Sequence, residues 1–215
     1  MRKQEKNGSK ILAIVKEHFK KNIKEYLIVS LIFLIGIIIG VTFINNISEE
    51  QQNQTNEYIK SFTQALNTNY EIDSASLLRS SIVSNLLLAI TLWFIGSTVV
   101  GIPIVYLIIG IRGFSLGYTI SSIMITFPMF KGTWFCIASL LLQNIIYIPC
   151  ILALGVSGMK LYKSIIKDKR KENIKVEILR HTIFSAFIAI LLVVASFVEV
   201  YASSNIVSLC IKMFV

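Results

Sequence analysis

The sequence predicts an all-α integral membrane protein, a bundle of about five transmembrane helices with its N-terminus inside the cell and its C-terminus outside. The chain of 215 residues is 54% hydrophobic and carries a net charge of +9. Only two fully charged side chains, Arg112 and Glu199, lie within its long apolar stretches. Lys and Arg are concentrated in two polar segments beside those stretches, which is typical of the cytoplasmic flanks of membrane helices.

The charge distribution excludes two other classes of protein. A soluble domain of this length would carry charged residues along every amphipathic element. The excess positive charge flanks the apolar stretches, without interleaved aromatic residues or a nucleic-acid-binding motif. We therefore expect the basic segments to contact membrane lipids with anionic headgroups, and we expect no nucleic acid partner.

The basic segment 1–25 precedes the first apolar stretch, residues 26–44. A cleaved signal peptide is the alternative interpretation, but this stretch exceeds the usual signal core of about 7–15 residues and no Ala-x-Ala site follows it. We therefore predict a cytoplasmic N-terminal segment and a retained anchor, which begins a five-span membrane domain over residues 26–215.

Residues 45–79 are polar and predominantly acidic, so we place them in an outer loop. Within this loop Tyr58, Phe62 and Leu66 recur at positions i, i+4 and i+8, which predicts a short amphipathic helix. Its apolar stripe either packs on the bundle or rests among the headgroups, or it docks an extracytoplasmic partner.

The apolar stretch 82–127 has the length of two spans. Gly101 and Pro103 mark the break, because proline lacks a backbone N–H and clashes with the preceding helical turn. With a turn at Pro103, Arg112 lies about 13 Å into the next helix, near the midplane. With a kink at Pro103, Arg112 and Gly113 instead form a cytoplasmic turn. The sequence leaves both arrangements open.

The remaining spans are predicted over residues 134–157 and 182–202, with a basic cytoplasmic loop at 158–181. The path from the outer loop to this inner loop requires an odd number of crossings, and the apolar length supplies three. The last span then places the C-terminus outside.

Polar and small residues inside the spans predict helix contacts. Gln143, Asn144 and Pro149 interrupt the fourth span, and amides in lipid need interior partners, so this face should point into the bundle. Gly36 and Gly40 form a small-xxx-small pair in the first span, with further small residues in the third. Such faces pack helices within one chain or between the copies of a homo-oligomer.

Cysteine and histidine positions do not suggest chemistry. Cys136, Cys150 and Cys210 lack a metal-binding or disulfide spacing. His18 and His181 lie in basic flanks, which predicts structural or solvated roles. The sequence also contains no phosphate-binding loop, nucleophile elbow or His-Glu-x-x-His pattern. We therefore predict no enzymatic activity and no cofactor.

Glu199 is expected about 25 Å along the last helix, close to the outer interface. Tyr201, Ser203 and Ser204 offer hydrogen-bond partners there. Glu199 is either an interfacial acid that extends to water or a functional intramembrane acid. A large axial offset disfavours a salt bridge to Arg112, so the two charges are expected to need separate explanations.

Several short motifs, in this order along nearly the whole chain, resemble the stage II sporulation protein M family. They are Asn85-Leu86, Gly101-Ile102-Pro103, Gly113-Phe114-Ser115-Leu116-Gly117, Gln143-Asn144-Ile145-Ile146-Tyr147-Ile148-Pro149 and Glu199-Val200-Tyr201. In the broader family an Asn commonly precedes the Gly-Phe-x-x-Gly stretch, where this chain has Arg112.

The resemblance implies a non-enzymatic membrane scaffold for forespore engulfment in the mother-cell septal membrane. Its implied partners are stage II sporulation proteins D and P, which degrade peptidoglycan. The alternative is the permease subunit of an exporter powered by a separate ATPase, because a proline-broken helix with a buried Arg resembles the substrate path of a transporter.

Overall fold

The structure, a computed structural model, describes residues 19–67, 73–98, 101–167 and 174–203. Within these ranges the backbone is almost entirely helical and contains no β-strand. The chain forms seven α-helices there, α1 to α7, and two π-helical segments. They are α1 (Ile23–Asn46), α2 (Glu49–Asn67), α3 (Ser74–Gly96), α4 (Gly101–Thr126), α5 (Met129–Cys136), π1 (Ile137–Leu141), α6 (Leu142–Lys167), α7 (Ile174–Phe197) and π2 (Val198–Ser203).

Five of these helical stretches are long and apolar enough to cross a membrane, which confirms the predicted all-α class with about five spans. They are Ile23–Asn46, Ser74–Gly96, Gly101–Thr126, Gln143–Ile166 and Ile174–Ala202. The fourth lies about nine residues further along the chain than the expected 134–157. The sequence suggested a loop over residues 158–181. In the structure residues 158–167 belong to the end of α6, and residues 174–181 belong to the start of α7.

The ends of α3 have local causes. Asp73 caps its N-terminus: Oδ1 accepts hydrogen bonds from the backbone N–H of Ala75 at 3.1 Å and of Ser76 at 3.2 Å. Such a cap satisfies donors that have no partner within the helix. At the other end the helix stops at Gly96, and the N–H of Ser97 bonds back to carbonyls of the last turn.

The helix that carries Arg112 begins at Gly101, which decides between the two arrangements considered for this stretch. Pro103 lies in the first turn of α4, where its missing N–H costs no helical hydrogen bond. The chain therefore turns before Gly101, and Arg112 lies near the middle of α4, about 16 Å from its start at 1.5 Å per residue.

Side-chain contacts define the direction of each helix. Ser81 contacts Glu199 and Trp93 contacts Thr182, so α3 and α7 are antiparallel. By the same reasoning α1, α4 and α7 run one way, and α3 and α6 run the other. We call the end of the bundle that carries α2 the α2 end, and the opposite end the basic end. The start of α1 and the end of α7 lie at opposite ends.

Helices α1 and α4 pack with their backbones nearly in contact. A Cβ atom added at Gly36, Gly40, Gly113 or Gly117 would lie 2.2 Å from a backbone oxygen of the other helix. Only glycine permits this approach, as in small-xxx-small helix pairs within membranes. These glycines are therefore used within the chain, so this face is not free for pairing with a second copy.

Helix α6 is the centre of the bundle. Of the residues in its most apolar 18-residue stretch 61% are buried, against 22–33% for the other four spans. Ile151 and Leu154 of α6 contribute to a core shared with Val29, Ile109 and Leu192 of the surrounding helices. Such interdigitated packing is the main contribution to helix association where lipid tails are as apolar as the side chains.

The amphipathic helix in the predicted outer loop is α2, and its exposed stripe differs from its packed face. Asn56 Oδ1 accepts a 2.7 Å hydrogen bond from Thr126 of α4, and Ile59 joins a small buried cluster. Tyr58 and Phe62 instead remain 73% and 51% exposed. Tyr58 and Phe62 therefore do not pack on the bundle. The side chain of Leu66 lies outside the described part of the structure.

A buried polar cluster closes the basic end. His181 of α7 is only 3% exposed. Its Nδ1 lies 2.8 Å from Ser157 Oγ of α6, and its Nε2 lies 3.3 Å from the Trp93 carbonyl of α3. Because a carbonyl only accepts, Nε2 carries the proton and Nδ1 accepts from the Ser157 hydroxyl. The solvated role left open for His181 is therefore wrong, and its role is structural. His18 lies outside the described residues.

Candidate functional site: a polar intramembrane cavity

A cavity of about 350 Å³ lies among α3, α4, α6 and π2. Most of its lining side chains are polar, which is unusual within the membrane-spanning part of a protein. The cavity is open to its surroundings, because Ser80, Ser84, Arg112 and Ser115 of its lining are exposed. The lining residues are Leu77, Ser80, Ser81, Ser84, Asn85, Arg112, Ser115, Leu116, Thr119, Gln143, Asn144, Tyr147 and Glu199.

Helical spacing explains how two of the walls form. On α3 the lining residues recur three and four positions apart, from Leu77 to Asn85, so they share one face. On α4 the same spacing joins Arg112, Ser115 and Thr119. The two polar faces flank a cleft that extends from the α2 end to the middle of the bundle.

Glu199 lies in π2, at the α2 end of α7. The Ser81 hydroxyl donates a hydrogen bond to its Oε2 atom. Below this contact, Asn85 Nδ2 donates to Ser196 Oγ at 2.8 Å. A π-helical segment inserts an extra residue into the helix and is common at functional sites. Together these bonds hold the carboxylate at the cavity wall.

Arg112 contributes a cation to the same cavity. Its guanidinium carbon lies 6.0 Å from the centre of the Tyr147 ring, at the outer limit of a cation–π contact. In the described part of the chain it has no carboxylate partner at ion-pair distance. A guanidinium carries five N–H donors, so most of its hydrogen-bonding capacity remains available.

Gln143, Asn144 and Pro149, which were expected on one inward face of the fourth span, do not all face the cavity. Gln143 and Asn144 line the cavity, as the need of amides for interior partners predicts. Asn144 Nδ2 also donates to the Leu140 carbonyl of π1 at 2.7 Å. Pro149 is exposed and does not contribute to the cavity. Pro103 lies at the start of α4 and does not line it either.

The expectation that Arg112 and Glu199 need separate explanations is corrected. Both line one cavity, although the two groups form no ion pair. In the sequence each helix was considered separately, whereas the packing of α3, α4, α6 and π2 brings both residues to one cavity. Ser81 and Tyr147 were not predicted from the sequence as residues of this site. A count of hydroxyl residues three and four apart on α3 would have indicated the Ser81 face.

The arrangement is suited to binding more than to catalysis. Hydroxyl and amide groups donate and accept hydrogen bonds, while Arg112 and Glu199 supply opposite charges. Among the described residues, no group of three His, Cys, Asp or Glu side chains could hold a metal ion. The cavity can therefore hold water, or a polar group of a ligand or partner.

Five helices long and apolar enough to span a membrane, with a polar cavity among α3, α4, α6 and π2, define this chain as a multi-pass α-helical membrane protein. Comparison with protein-family models finds the model of stage II sporulation protein M, which matches residues 29–204 and so includes all five spans except the start of the first. The chain belongs to the stage II sporulation protein M family, and it is a sporulation-related membrane protein. Neither curated proteins nor solved structures give a match.

We predict that Glu199→Ala destabilises the junction of α3 with π2, because the Ser81 hydroxyl loses its acceptor. The expected loss is about 1.5–3 kcal/mol, the usual contribution of a hydrogen bond to a charged group. Glu199→Gln retains an acceptor and should lose less. Unfolding of the purified protein in detergent, followed by circular dichroism, measures the difference. Equal stability of the wild type and the Ala variant would contradict this role.

Proposed function

We propose that this protein is a non-enzymatic membrane scaffold for forespore engulfment during sporulation. Membership of the stage II sporulation protein M family is the observation that carries this proposal. The scaffold would act in the mother-cell septal membrane and would position peptidoglycan-degrading proteins there. The hydrolytic chemistry would belong to those partners.

The proposed partners are stage II sporulation proteins D and P, and the proposed contact surface is the stripe of Tyr58 and Phe62 on α2. Both side chains are exposed, although the opposite flank of their helix is anchored to α4 through Asn56. Aromatic side chains anchored on a fixed helix are typical of contact residues. In the proposed N-inside topology, α2 lies on the outer side, where the cell wall is.

We expect the double substitution Tyr58→Ser and Phe62→Ser to reduce recovery of the two hydrolases by at least about tenfold, because it removes both proposed anchors. The measurement is a pull-down from sporulating cells in mild detergent, quantified against the amount of the scaffold in the membrane. The matched control is Asn53→Ser with Glu57→Ser, which changes the other exposed flank of α2.

Three outcomes of this pull-down are informative. Loss with the Tyr58 and Phe62 variant alone supports both the scaffold and its contact surface. Equal recovery of the hydrolases with all variants would indicate that the contact lies elsewhere on the protein. Absence of both hydrolases from the wild-type pull-down would overturn the scaffold function.

Topology is tested with single cysteines in a background that lacks the three native ones. A cysteine at Thr55 or Ser208 should react with an impermeant thiol reagent in intact protoplasts, and one at Lys169 should not. Ser208 and Lys169 lie outside the described residues, so this experiment examines the positive-inside prediction independently of the fold. Labelling at Lys169 with none at Thr55 would invert the proposed orientation.

The polar cavity favours a second candidate, the permease subunit of an exporter powered by a separate ATPase. Charged residues inside a bundle often line a substrate path. A copurified ATPase, or substrate-dependent transport in proteoliposomes, would support this function. Recovery of hydrolases without an ATPase would exclude it in favour of the scaffold.

A further inference from the structure

We propose that the cavity between α3 and α4 binds a small zwitterion, which carries a carboxylate and an ammonium group and has the size of an amino acid or a dipeptide. Arg112 would bind the carboxylate and Glu199 the ammonium. This inference goes beyond the scaffold function and does not depend on it, because the proposed partner surface on α2 shares no residue with the cavity.

Arg112 lies near the middle of α4, and its side chain is exposed in the open cavity. A cation near the middle of a membrane helix is costly unless it is hydrated or paired. Tyr147 lies at the edge of cation–π range, and no described carboxylate forms an ion pair with Arg112. The planar fork of N–H donors matches a carboxylate, which it can bind through two parallel hydrogen bonds. Gln143 and Asn144 add amide groups in the same cavity.

Glu199 is half-buried at the α2 end of the same cavity. Its carboxylate accepts one hydrogen bond from Ser81, whereas a carboxylate has about four acceptor positions. The remaining positions suit an ammonium group, which donates up to three hydrogen bonds. The α2 end of the cavity therefore carries the negative charge and its middle carries the positive charge.

The two opposite charges of the cavity are not paired with each other. A direct ion pair would satisfy Arg112 and Glu199 at once, yet the bundle holds them in one cavity without forming that pair. A dipolar ligand placed between them satisfies both. The volume of about 350 Å³ lies at the small end of the range for ligand pockets, about 300–1,000 Å³. Hydroxyl groups of Ser84, Ser115 and Thr119 suit the peptide or backbone atoms of such a ligand.

Three probes of nearly equal size separate the charge requirements. Dialanine carries both charges, N-acetyl-dialanine only the carboxylate, and dialanine amide only the ammonium group. Each is titrated into the purified full-length protein in nanodiscs, and the unfolding midpoint is measured as a function of concentration, since a ligand that binds the folded state raises it saturably. We expect dialanine to bind at least about tenfold more tightly than either single-charge probe.

Four variants assign the two charges. Arg112→Gln should weaken dialanine binding by about tenfold or more and abolish the preference for probes with a carboxylate. Glu199→Gln should weaken dialanine binding by a similar factor and abolish the preference for probes with an ammonium group. The controls are Arg79→Gln and Glu57→Gln, which remove the same charges at exposed positions outside the cavity and should bind like the wild type.

Two results would overturn the proposal. One is the absence of a saturable shift with all three probes, which would indicate a cavity that holds only water. The other is equal dialanine binding by the wild type and the Arg112→Gln variant. If Arg112→Gln fails to fold, Arg112→Lys tests the same contact, because it keeps the charge and loses the bidentate geometry; its binding should be weaker than that of the wild type but not absent.

Discussion

Substitution of Gly117 by alanine is expected to lower the free energy of unfolding by about 1–3 kcal/mol, the usual cost of overpacking a well-packed core. The new Cβ atom would lie 2.2 Å from the Ile37 carbonyl oxygen and 2.9 Å from the Ile37 Cα atom. Both are backbone atoms, so no side-chain rotation relieves the clash and α1 must move away from α4. Unfolding in detergent, followed by circular dichroism, measures the loss.

Gly110 provides the matched control in the same helix. A Cβ atom at this position would meet only the Ile32 Cγ2 atom, at an ordinary distance of 3.7 Å. Because alanine favours helix more than glycine does, by about 1 kcal/mol, Gly110→Ala should be neutral or stabilising. The two substitutions are chemically identical, so opposite signs would demonstrate the close approach of the helices. Equal stability of the two variants would show that α1 and α4 do not pack in this way.

His181→Ala is expected to lower the free energy of unfolding by about 3 kcal/mol. The substitution leaves a cavity where α3, α6 and α7 meet, and it removes the partners of Ser157 and of the Trp93 carbonyl. The Trp93 indole reports on the same junction, because its Nε1 donates to Thr182 at 3.1 Å. Tryptophan fluorescence during unfolding therefore complements circular dichroism.

The neighbouring Arg180→Ala is the control for this prediction. The side chain of Arg180 is 66% exposed and pairs with Glu177 one helical turn away, at 2.7 Å. Exposed pairs of this kind contribute about 0–1 kcal/mol, so the variant should be close to the wild type in stability. A similar loss for both variants would indicate a general sensitivity of this part of α7, and the polar cluster would then have no special contribution.

Both predictions concern contacts that the sequence indicated only in part. Gly36 and Gly40 were recognised as a helix-packing pair from their spacing, but spacing alone does not name the partner helix. His181 was placed in a basic flank because charged residues surround it in the sequence. Its burial arises because α3 and α6 cover that one face of α7, while Arg180 on the adjacent position remains exposed.

Helix ends were harder to predict than helix existence. Helix α6 continues through Lys160 and Lys163 to Lys167, whereas hydropathy alone ended the span at residue 157. Lysine is a good helix former, and its long side chain carries the charge away from the apolar surface. Lys163 also pairs with Glu25 of α1 at 2.5 Å, a contact between residues far apart in the chain. Hydropathy reports where the hydrocarbon ends and does not report where the helix ends.

Length, hydropathy and charge were sufficient to predict an all-α membrane protein with five spans, because each span must satisfy its own backbone within the hydrocarbon. The same reasoning predicted that the amides of Gln143 and Asn144 face the interior. The cavity depends instead on how the helices pack. Arg112 and Glu199 lie on helices far apart in sequence, and they share a cavity because α3, α4 and α6 converge beside π2. The sequence pattern predicts which face of a helix is polar. Which helix packs against that face depends on the packing of all five spans.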